Sequence, residues 1–297
     1  MRRLIIGTRG SALARRQAEL ALAALRHAVP ELEATIQVVQ TEGDRRSDTP
    51  LEVIGGQGVF VKDIERHLQR AEIDVAVHSL KDMPAEQSPS LTIAACLPRG
   101  DARDALVGRD SANLADLAPG ARIGSDSRRR AMQVLAQRPD LAMVSIRGNV
   151  ETRIGKLDAG QYDGVVLAIA GLERLGLAHR ATQVFSIREM LPAVGQGVLA
   201  VQCRSADNEV IELLGAVDHP ATHTATDAER AFLRALGAGC SLPVGAYATV
   251  DDDEIRLDAV LADESGKPHR AHAKGPASTG ERLGTALAQR LRIEASV

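Results

Sequence analysis

The order of strand-like and helix-like segments constrains the fold of this chain more than any other feature of its sequence. Strand-like runs in the first half lie at residues 4–7, 34–40, 73–77 and 91–97, with helix-like segments at 11–27 and 59–71. After a break near residues 98–104, further strand-like runs lie at 121–124, 141–146 and 163–169, with helix-like segments at 127–137 and 150–159. This β-α-β alternation predicts two similar units with mostly parallel sheets, helices on both faces and a cleft between the units.

The C-terminal part has a different order of elements. A Gly-rich stretch at 192–197 leads into an apolar run at 198–202, and a helix-like segment follows at 227–236. Strand-like runs at 244–250, 254–261 and 269–274 and an amphipathic helix at 279–293 complete the chain. Consecutive strands followed by a helix predict a small α+β domain.

Composition excludes several classes of protein. Hydrophobic residues at 44% and charged residues at 25% are typical of globular proteins, and a net charge of −3 argues against a broadly basic binder of nucleic acid or membrane surfaces. Aromatic residues at 2% leave little to stack on bases. No apolar run reaches the ~18 residues of a membrane span, and without a signal peptide we expect a cytoplasmic protein.

The sequence carries no recognisable metal signature. Cys96, Cys203 and Cys240 are far apart and form no CxxC pair, which argues against a disulfide framework or a zinc site. His219 and His223 are four residues apart without a third ligand, so we interpret them as surface residues. We therefore expect no metal.

Polar residues follow the strand-like run at 73–77. His78, Ser79, Lys81 and Asp82 come directly after it, and Pro84 closes the segment. Because the carboxyl ends of strands face the ligand crevice in open α/β sheets, Asp82 could act as a general acid or base, or stabilise a cation. Lys81 would add positive charge for an anionic ligand, although a solvated turn with an ordinary Lys–Asp pair explains the same residues.

Arginines are concentrated where helices begin. Ser127 is a good N-cap, yet Arg128, Arg129 and Arg130 occupy the first turn, where each cation is disfavoured by ~0.3–1 kcal/mol. This pattern predicts compensation by an anion, such as a ligand carboxylate or phosphate, unless the arginines simply point into solvent. Similar strand-to-helix turns, each weaker as a signal, hold Arg9, Ser11, Arg147 and Arg153, and Ser11 is the expected N-cap of the helix-like segment at 11–27.

A single cysteine lies among small residues at 237–243. Glycines there allow a close backbone approach to a ligand, and an accessible Cys240 thiol could be a nucleophile or a covalent anchor. A buried small side chain is the alternative, and it fits Cys96 better. The residues alone therefore fit a cysteine-linked enzyme or a non-enzymatic binder of small polycarboxylates, and less well a thiol hydrolase that pairs Cys240 with His78 or His223.

The motifs together resemble the porphobilinogen deaminase family, also called hydroxymethylbilane synthases. The resemblance covers nearly the whole chain. It is carried by TRGSALA (8–14), GGQGVFVKDIE (55–65), VHSLKDMP (77–84), SRRRAMQ (127–133), RGNVETR (147–153), GLERLGL (171–177), PAVGQGVLAVQCR (192–204) and GAGCSLPVGA (237–246).

The resemblance implies a fold and a reaction. The fold would be two periplasmic-binding-protein-like α/β domains around a cleft, residues 1–97 with 198–215 and residues 103–191, plus an α+β domain at 220–297. Cys240 would hold a dipyrromethane cofactor through a thioether. Porphobilinogen units would lose ammonia as they join this primer, and the growing oligopyrrole chain would be released by hydrolysis as hydroxymethylbilane, for tetrapyrrole biosynthesis. The family usually acts as a monomer.

The resemblance also implies roles for individual residues. Asp82 falls on the catalytic carboxylate, which would protonate the leaving amine and hold cationic and pyrrole N–H groups. The implied cofactor-binding residues are Cys240, Lys81, Asp82, Ser127, Arg129, Arg130 and Arg147. The implied substrate-binding residues are Arg9, Ser11, Arg153, Arg174 and Gln196.

Three positions depart from the family pattern. The family often has basic residues where Glu42 and Gln57 stand, and an apolar residue where Arg128 stands. The first two departures remove positive charge near the expected cleft, and we expect Arg128 to face solvent.

Overall fold

The computed structural model describes residues 3–39, 59–237 and 242–296. It divides into two compact units, Met1–Gly100 with Val198–His223, and Asp101–Gly197 with Thr224–Val297. The strands, in chain order, are β1 (Leu4–Thr8), β2 (Ala34–Val38), β3 (Val75–Ser79), β4 (Leu91–Cys96), β5 (Asp104–Gly108), β6 (Arg122–Gly124), β7 (Ala142–Val144), β8 (Gly164–Ala168), β9 (Gln183–Val184), β10 (Leu199–Arg204), β11 (Val244–Asp251), β12 (Glu254–Ala262) and β13 (Pro268–Pro276). The helices are α1 (Ala12–Ala28), α2 (Val59–Gln69), α3 (Arg128–Gln137), α4 (Val150–Asp158), α5 (Ile169–Arg174), α6 (Asn208–Gly215), α7 (Pro220–Ala235) and α8 (Gly280–Glu294).

Each unit contains a five-stranded sheet, and the two sheets have the same topology. Their strand orders are β2-β1-β3-β10-β4 and β7-β6-β8-β5-β9. The first three strands of each sheet are parallel, whereas β10 is antiparallel to β3 and β4, and β5 is antiparallel to β8 and β9. The predicted α/β architecture with two similar sheets is thus confirmed.

Four of the five strands in each sheet run in the same direction, as expected for mostly parallel sheets, and each sheet also holds one reversed strand that the sequence did not predict. In both cases the reversed strand is the first strand after the chain crosses from one unit to the other. Strand β5 follows β4 of the first unit, and β10 follows β9 of the second unit. The spacing of apolar residues along a strand reports which side chains are buried but not the direction of the strand. The spacing of apolar residues therefore does not predict the reversed direction of β5 and β10.

The C-terminal α+β region agrees with the prediction from its element order. Strands β11, β12 and β13 form an antiparallel sheet in that order. Its apolar core includes Phe232 of α7, Leu257 of β12 and Leu287 of α8, all buried. Helices α7 and α8 pack so closely that a Cβ atom on Gly284 would lie 2.2 Å from the Ala228 carbonyl oxygen.

No helix in the described part of the chain combines the length and the apolar character needed to cross a membrane.

Candidate active site

The turn after β3 presents Asp82 at the carboxyl edge of the first sheet. Leu80–Asp82 form one turn of 3₁₀ helix, in which Met83 N donates to Leu80 O at 3.1 Å. Leu80 and Met83 are buried, and Leu80 N donates to the carbonyl of Val198 at 3.0 Å. Asp82 itself is exposed. The two buried neighbours therefore fix the backbone of a turn whose carboxylate faces outward.

A second predicted segment emerges at this same edge. Strand β1 pairs in parallel with β3, with Ile6 opposite Val75, so the residues that follow both strands lie at one end of the sheet. Arg9 and Ser11 follow β1, and the Ser11 hydroxyl caps α1 by accepting from Ala14 N at 3.2 Å. The predicted cap is confirmed, and the fold brings Arg9 and Ser11 to the edge that also carries Lys81 and Asp82.

His78 lies in the interior beside this edge. Its Nε2 is 3.0 Å from Gln202 Oε1, and Gln202 Nε2 donates to Glu65 Oε1 at 2.9 Å. Burial lowers the pKa of His78 to about 4; the hydrogen bond with Gln202 opposes this shift and the charge of Arg9 adds to it. The ring is therefore neutral at pH 7 and committed to an internal hydrogen bond, which does not favour His78 as the base of a thiol hydrolase.

This buried histidine makes the stability of the fold depend on pH. Its pKa in the folded protein is below the ordinary value of 6.5, so the stability that comes from the neutral ring is complete above pH 6.5 and is lost as the pH falls towards 4. Over that range we expect a loss of about 3 kcal/mol in the free energy of unfolding. Urea titrations of wild type and His78→Gln between pH 4 and 7 should give a shallower curve for the variant. The exposed His179→Gln should keep the wild-type slope, and parallel curves for wild type and His78→Gln would refute the assignment.

The arginines at the start of α3 are compensated inside the protein. Arg129 Nη1 donates to Asp104 Oδ2 at 2.7 Å, while Arg130 donates to Asp104 Oδ1 from Nε at 3.0 Å and from Nη2 at 2.7 Å. All three side chains are buried, and the Ser127 hydroxyl caps the helix. The predicted anionic compensation exists, but it comes from an aspartate of the chain. The alternative of solvent-directed side chains is wrong for Arg129 and Arg130 and correct for Arg128, which is exposed.

The other predicted residues of the second unit collect at the carboxyl edge of its sheet. Strands β7, β6 and β8 are parallel neighbours, and Asp104 lies opposite Ala168, the last residue of β8. Arg147 follows β7, with its Nε 3.2 Å from Asp126 Oδ2, and Arg153 Nε donates to Gly148 O at 2.8 Å.

Arg174 and Gln196 make contacts within the second unit. Arg174 Nη2 donates to Gly197 O at 2.6 Å, and burial lowers the pKa of its guanidinium while the charge of Glu173 opposes this. Gln196 is buried and its Nε2 donates to Ala102 O at 2.7 Å and to Asp104 Oδ1 at 3.1 Å. The binding roles of these residues stay predictions.

Asp104 is the functional candidate that the sequence did not reveal. It is the first residue of β5, a strand with every residue buried, in a stretch where the alternating pattern breaks. A charged residue leading into the apolar run 105–107 is the one available signal, because such a residue must find a partner if the strand is buried. Nothing in the spacing connects it with Arg129, 25 residues later.

Cys240, Glu42 and Gln57 lie outside the described residues. The strand that follows the cysteine in sequence, β11, packs against Arg129: a Cβ atom on Gly245 would lie 3.1 Å from Arg129 Cδ and 2.7 Å from Pro192 O. Cys96 is buried, as expected for a small apolar side chain, and Cys203 is buried as well. No metal-binding cluster of His, Cys, Asp or Glu occurs among the residues that the structure describes.

Comparisons with known proteins identify relatives along almost the whole chain. Residues 4–212 match the model of "Porphobilinogen deaminase, dipyromethane cofactor binding domain", and residues 223–292 match "Porphobilinogen deaminase, C-terminal domain". The porphobilinogen deaminase of Roseiflexus castenholzii is 46% identical over 97% of this chain and 95% of the relative. That of Thermus thermophilus is 46% identical over the same shares, and that of Acidothermus cellulolyticus is 49% identical over 89% of this chain and 80% of the relative.

Among solved structures, the periplasmic VFT2 domain of BvgS from Bordetella pertussis aligns with a TM-score of 0.41 at 17% identity, over 72% of this chain and 85% of that chain. The family models and the relatives' identities over nearly full length decide the assignment. This chain belongs to the porphobilinogen deaminase family.

Proposed function

We propose that this protein is a transferase that condenses porphobilinogen units in steps, with loss of ammonia, and releases a linear hydroxymethylbilane. The observation that carries the proposal is the exposed Asp82 beside Lys81, on a turn anchored by buried Leu80 and Met83. Arg9 emerges at the same edge of the sheet, so an acidic group and two cationic groups lie where a substrate bearing carboxylates and an amine would bind.

The proposed reaction balances with the substrate and water alone. In each elongation step the C–N bond of the porphobilinogen aminomethyl group breaks, and its methylene carbon forms a C–C bond with the free α-carbon of the terminal pyrrole. The α-proton of that pyrrole is lost and the amine leaves as ammonia. In the release step, the C–C bond between the pyrrole carbon of the bound primer and the methylene carbon of the first added unit breaks. Water supplies a hydroxyl group to that methylene carbon, and a proton returns to the pyrrole carbon that remains bound.

Asp82 suits both charge changes of such a step. A carboxylic acid within reach of the amine can protonate it, and the resulting carboxylate lowers the energy of the positive charge that develops on the methylene-pyrrole. The carboxylate also accepts hydrogen bonds from pyrrole N–H groups, which orients the ring. Lys81 on the same turn provides positive charge for an acetate or propionate group.

We further propose that Cys240 holds the dipyrromethane cofactor through a thioether. The residues described near β11 fit a group that carries carboxylates. Arg129 packs against Gly245 of β11, and the buried cluster of Arg129, Arg130 and Asp104 contains two cations and one anion. When bound, the cofactor supplies the pyrrole carbon to which the first substrate unit is joined. The chain's own residues bind its carboxylates and orient it, and arginine suits this because its planar fork pairs with a carboxylate through two hydrogen bonds.

The three sheets support a division into domains at 1–97 with 198–215, 103–191 and 220–297.

We propose that the protein works as a monomer in the cytoplasm. Light scattering on the purified protein should give the mass of a single chain, 31.5 kDa apart from any attached group.

The proposed activity is tested by incubating the purified wild-type protein with porphobilinogen. We expect ammonia release in equal amount to porphobilinogen consumption, and a linear bilane detected by mass spectrometry. A non-enzymatic polycarboxylate binder would bind porphobilinogen in calorimetry without releasing ammonia. That outcome would overturn the proposal and favour the alternative.

A further inference from the structure

Asp104 is a buried carboxylate that touches three side chains of the candidate site. Its Oδ2 accepts from Arg129 Nη1, and its Oδ1 accepts from Arg130 Nε, Arg130 Nη2 and Gln196 Nε2, at distances between 2.7 and 3.1 Å. Its exposed fraction is 0%. Such a short side chain with several charge-assisted hydrogen bonds holds both guanidinium groups in fixed orientations.

The cluster formed by Asp104, Arg129 and Arg130 is unbalanced in charge. Two guanidinium groups face one carboxylate, and both arginines are less than one-tenth exposed. An uncompensated buried charge is costly, because the low-dielectric interior replaces the hydration that the ion had in water. The cluster therefore favours one more negative charge, such as a carboxylate group of a ligand.

The hydrogen bonds of Arg129 indicate where that charge would bind. Within the described part of the chain, Arg129 donates only from Nη1, to Asp104 Oδ2 and to Leu191 O at 2.6 Å. Its Nε and Nη2 form the other edge of the fork, the geometry that pairs with both oxygens of a carboxylate. Gly245 of β11 lies against the aliphatic part of the same side chain, since a Cβ atom on this glycine would be 3.1 Å from Arg129 Cδ.

We propose that Asp104 is a positioning residue of the carboxylate-binding site: it orients Arg129 and Arg130 and leaves the cluster with one unit of positive charge for a ligand carboxylate. The inference deepens the proposed function and rests on it. Asp104 acts through the two arginines and touches no substrate itself. Replacing Asp104 should therefore weaken the binding of porphobilinogen and lower the fraction of chains that carry the cofactor. Its effect on the rate of the chemical step should be smaller.

The test replaces Asp104 with asparagine, which keeps the shape of the side chain and removes its charge. We expect the KM for porphobilinogen to rise about 10- to 100-fold with a smaller change in kcat, because the guanidinium groups lose their fixed orientation. Independently of activity, intact mass spectrometry should find a smaller fraction of chains with mass in excess of the sequence value. Wild-type KM together with wild-type loading in a folded Asp104→Asn protein would overturn the proposal.

A matched control separates positioning from stability. Asp74 is also a buried aspartate paired with an arginine: Arg204 Nη2 lies 3.0 Å from Asp74 Oδ1. It precedes β3 and therefore lies at the edge opposite Asp82. Asp74→Asn should lower the thermal midpoint yet keep the KM and the loaded fraction of wild type. A rise in KM for both variants in proportion to their loss of stability would assign Asp104 a purely structural role.

A second variant covers the case in which Asp104→Asn does not fold. In an Arg130→Gln background the remaining cluster of Arg129 and Asp104 is neutral, and adding Asp104→Asn raises its net charge to one. Charge alone would then strengthen the binding of a carboxylate, whereas the loss of the fixed orientation of Arg129 weakens it. The double variant should therefore be loaded less, and bind porphobilinogen more weakly, than Arg130→Gln alone; equal loading and equal or tighter binding would overturn the proposal. If wild type itself releases no ammonia and has no excess mass, the proposed function fails, whereas an active wild type with an unaffected Asp104 variant refutes the role of Asp104 alone.

Discussion

Asp82→Asn should lower kcat for porphobilinogen about 10²- to 10⁴-fold while leaving the free energy of unfolding close to that of wild type. The amide keeps the shape of the side chain but can neither protonate the departing amine nor offset the positive charge that develops as ammonia leaves. Stability should hold, because Asp82 is exposed and the turn is anchored by buried Leu80 and Met83. Steady-state ammonia release and urea unfolding measure the two effects separately.

The neighbouring Glu86 provides the control for this experiment. It is an exposed carboxylate four residues further along the same segment, so Glu86→Gln changes the net charge by the same amount. We expect Glu86→Gln to retain wild-type kcat. If Asp82→Asn also retained it, Asp82 would have no part in proton transfer or charge stabilisation.

Cys240→Ala should remove all mass in excess of the sequence value and abolish the synthesis of bilane. An alanine side chain cannot form the thioether, so the substrate would have no anchored pyrrole to which its first unit could be joined. Intact mass spectrometry of the purified variant, beside an assay of ammonia release, measures both consequences.

The buried Cys203 provides the matched control for the loss of a thiol. Burial raises the pKa of its thiol to about 11, so this thiol is unreactive. The side chain belongs to the apolar core around the first five-stranded sheet. Cys203→Ala should retain the excess mass. Excess mass in Cys240→Ala, or its loss in Cys203→Ala, would place the attachment elsewhere.

Local features of the fold could be predicted because the interactions that create them lie within a few residues. Ser11 and Ser127 cap their helices by accepting from backbone groups three residues later, as their sequence positions indicate. The residues after β3 and β6 lie at carboxyl edges, since parallel neighbours in an α/β sheet end on the same side.

The partners of the buried arginines could not be predicted from spacing. Arg129 and Arg130 break a local rule at the start of α3, and the pattern shows only that an anion must compensate them. The ion pair with Asp104 spans 25 residues along the chain, and the contact between Gln196 and Asp104 spans 92. These groups meet only in the tertiary structure, in which β5, the strand that begins with Asp104, pairs with β8.

The sequence by itself determined the α/β class, the helix caps, the family and the candidate residues Asp82 and Cys240, because each depends on side chains close together in the chain or on motifs matched in order. The tertiary structure decided the reversed directions of β5 and β10 and the burial of Arg129 and Arg130 against Asp104. These features depend on which strands pair across long separations, and a pattern of residue types along one segment does not specify its distant partner.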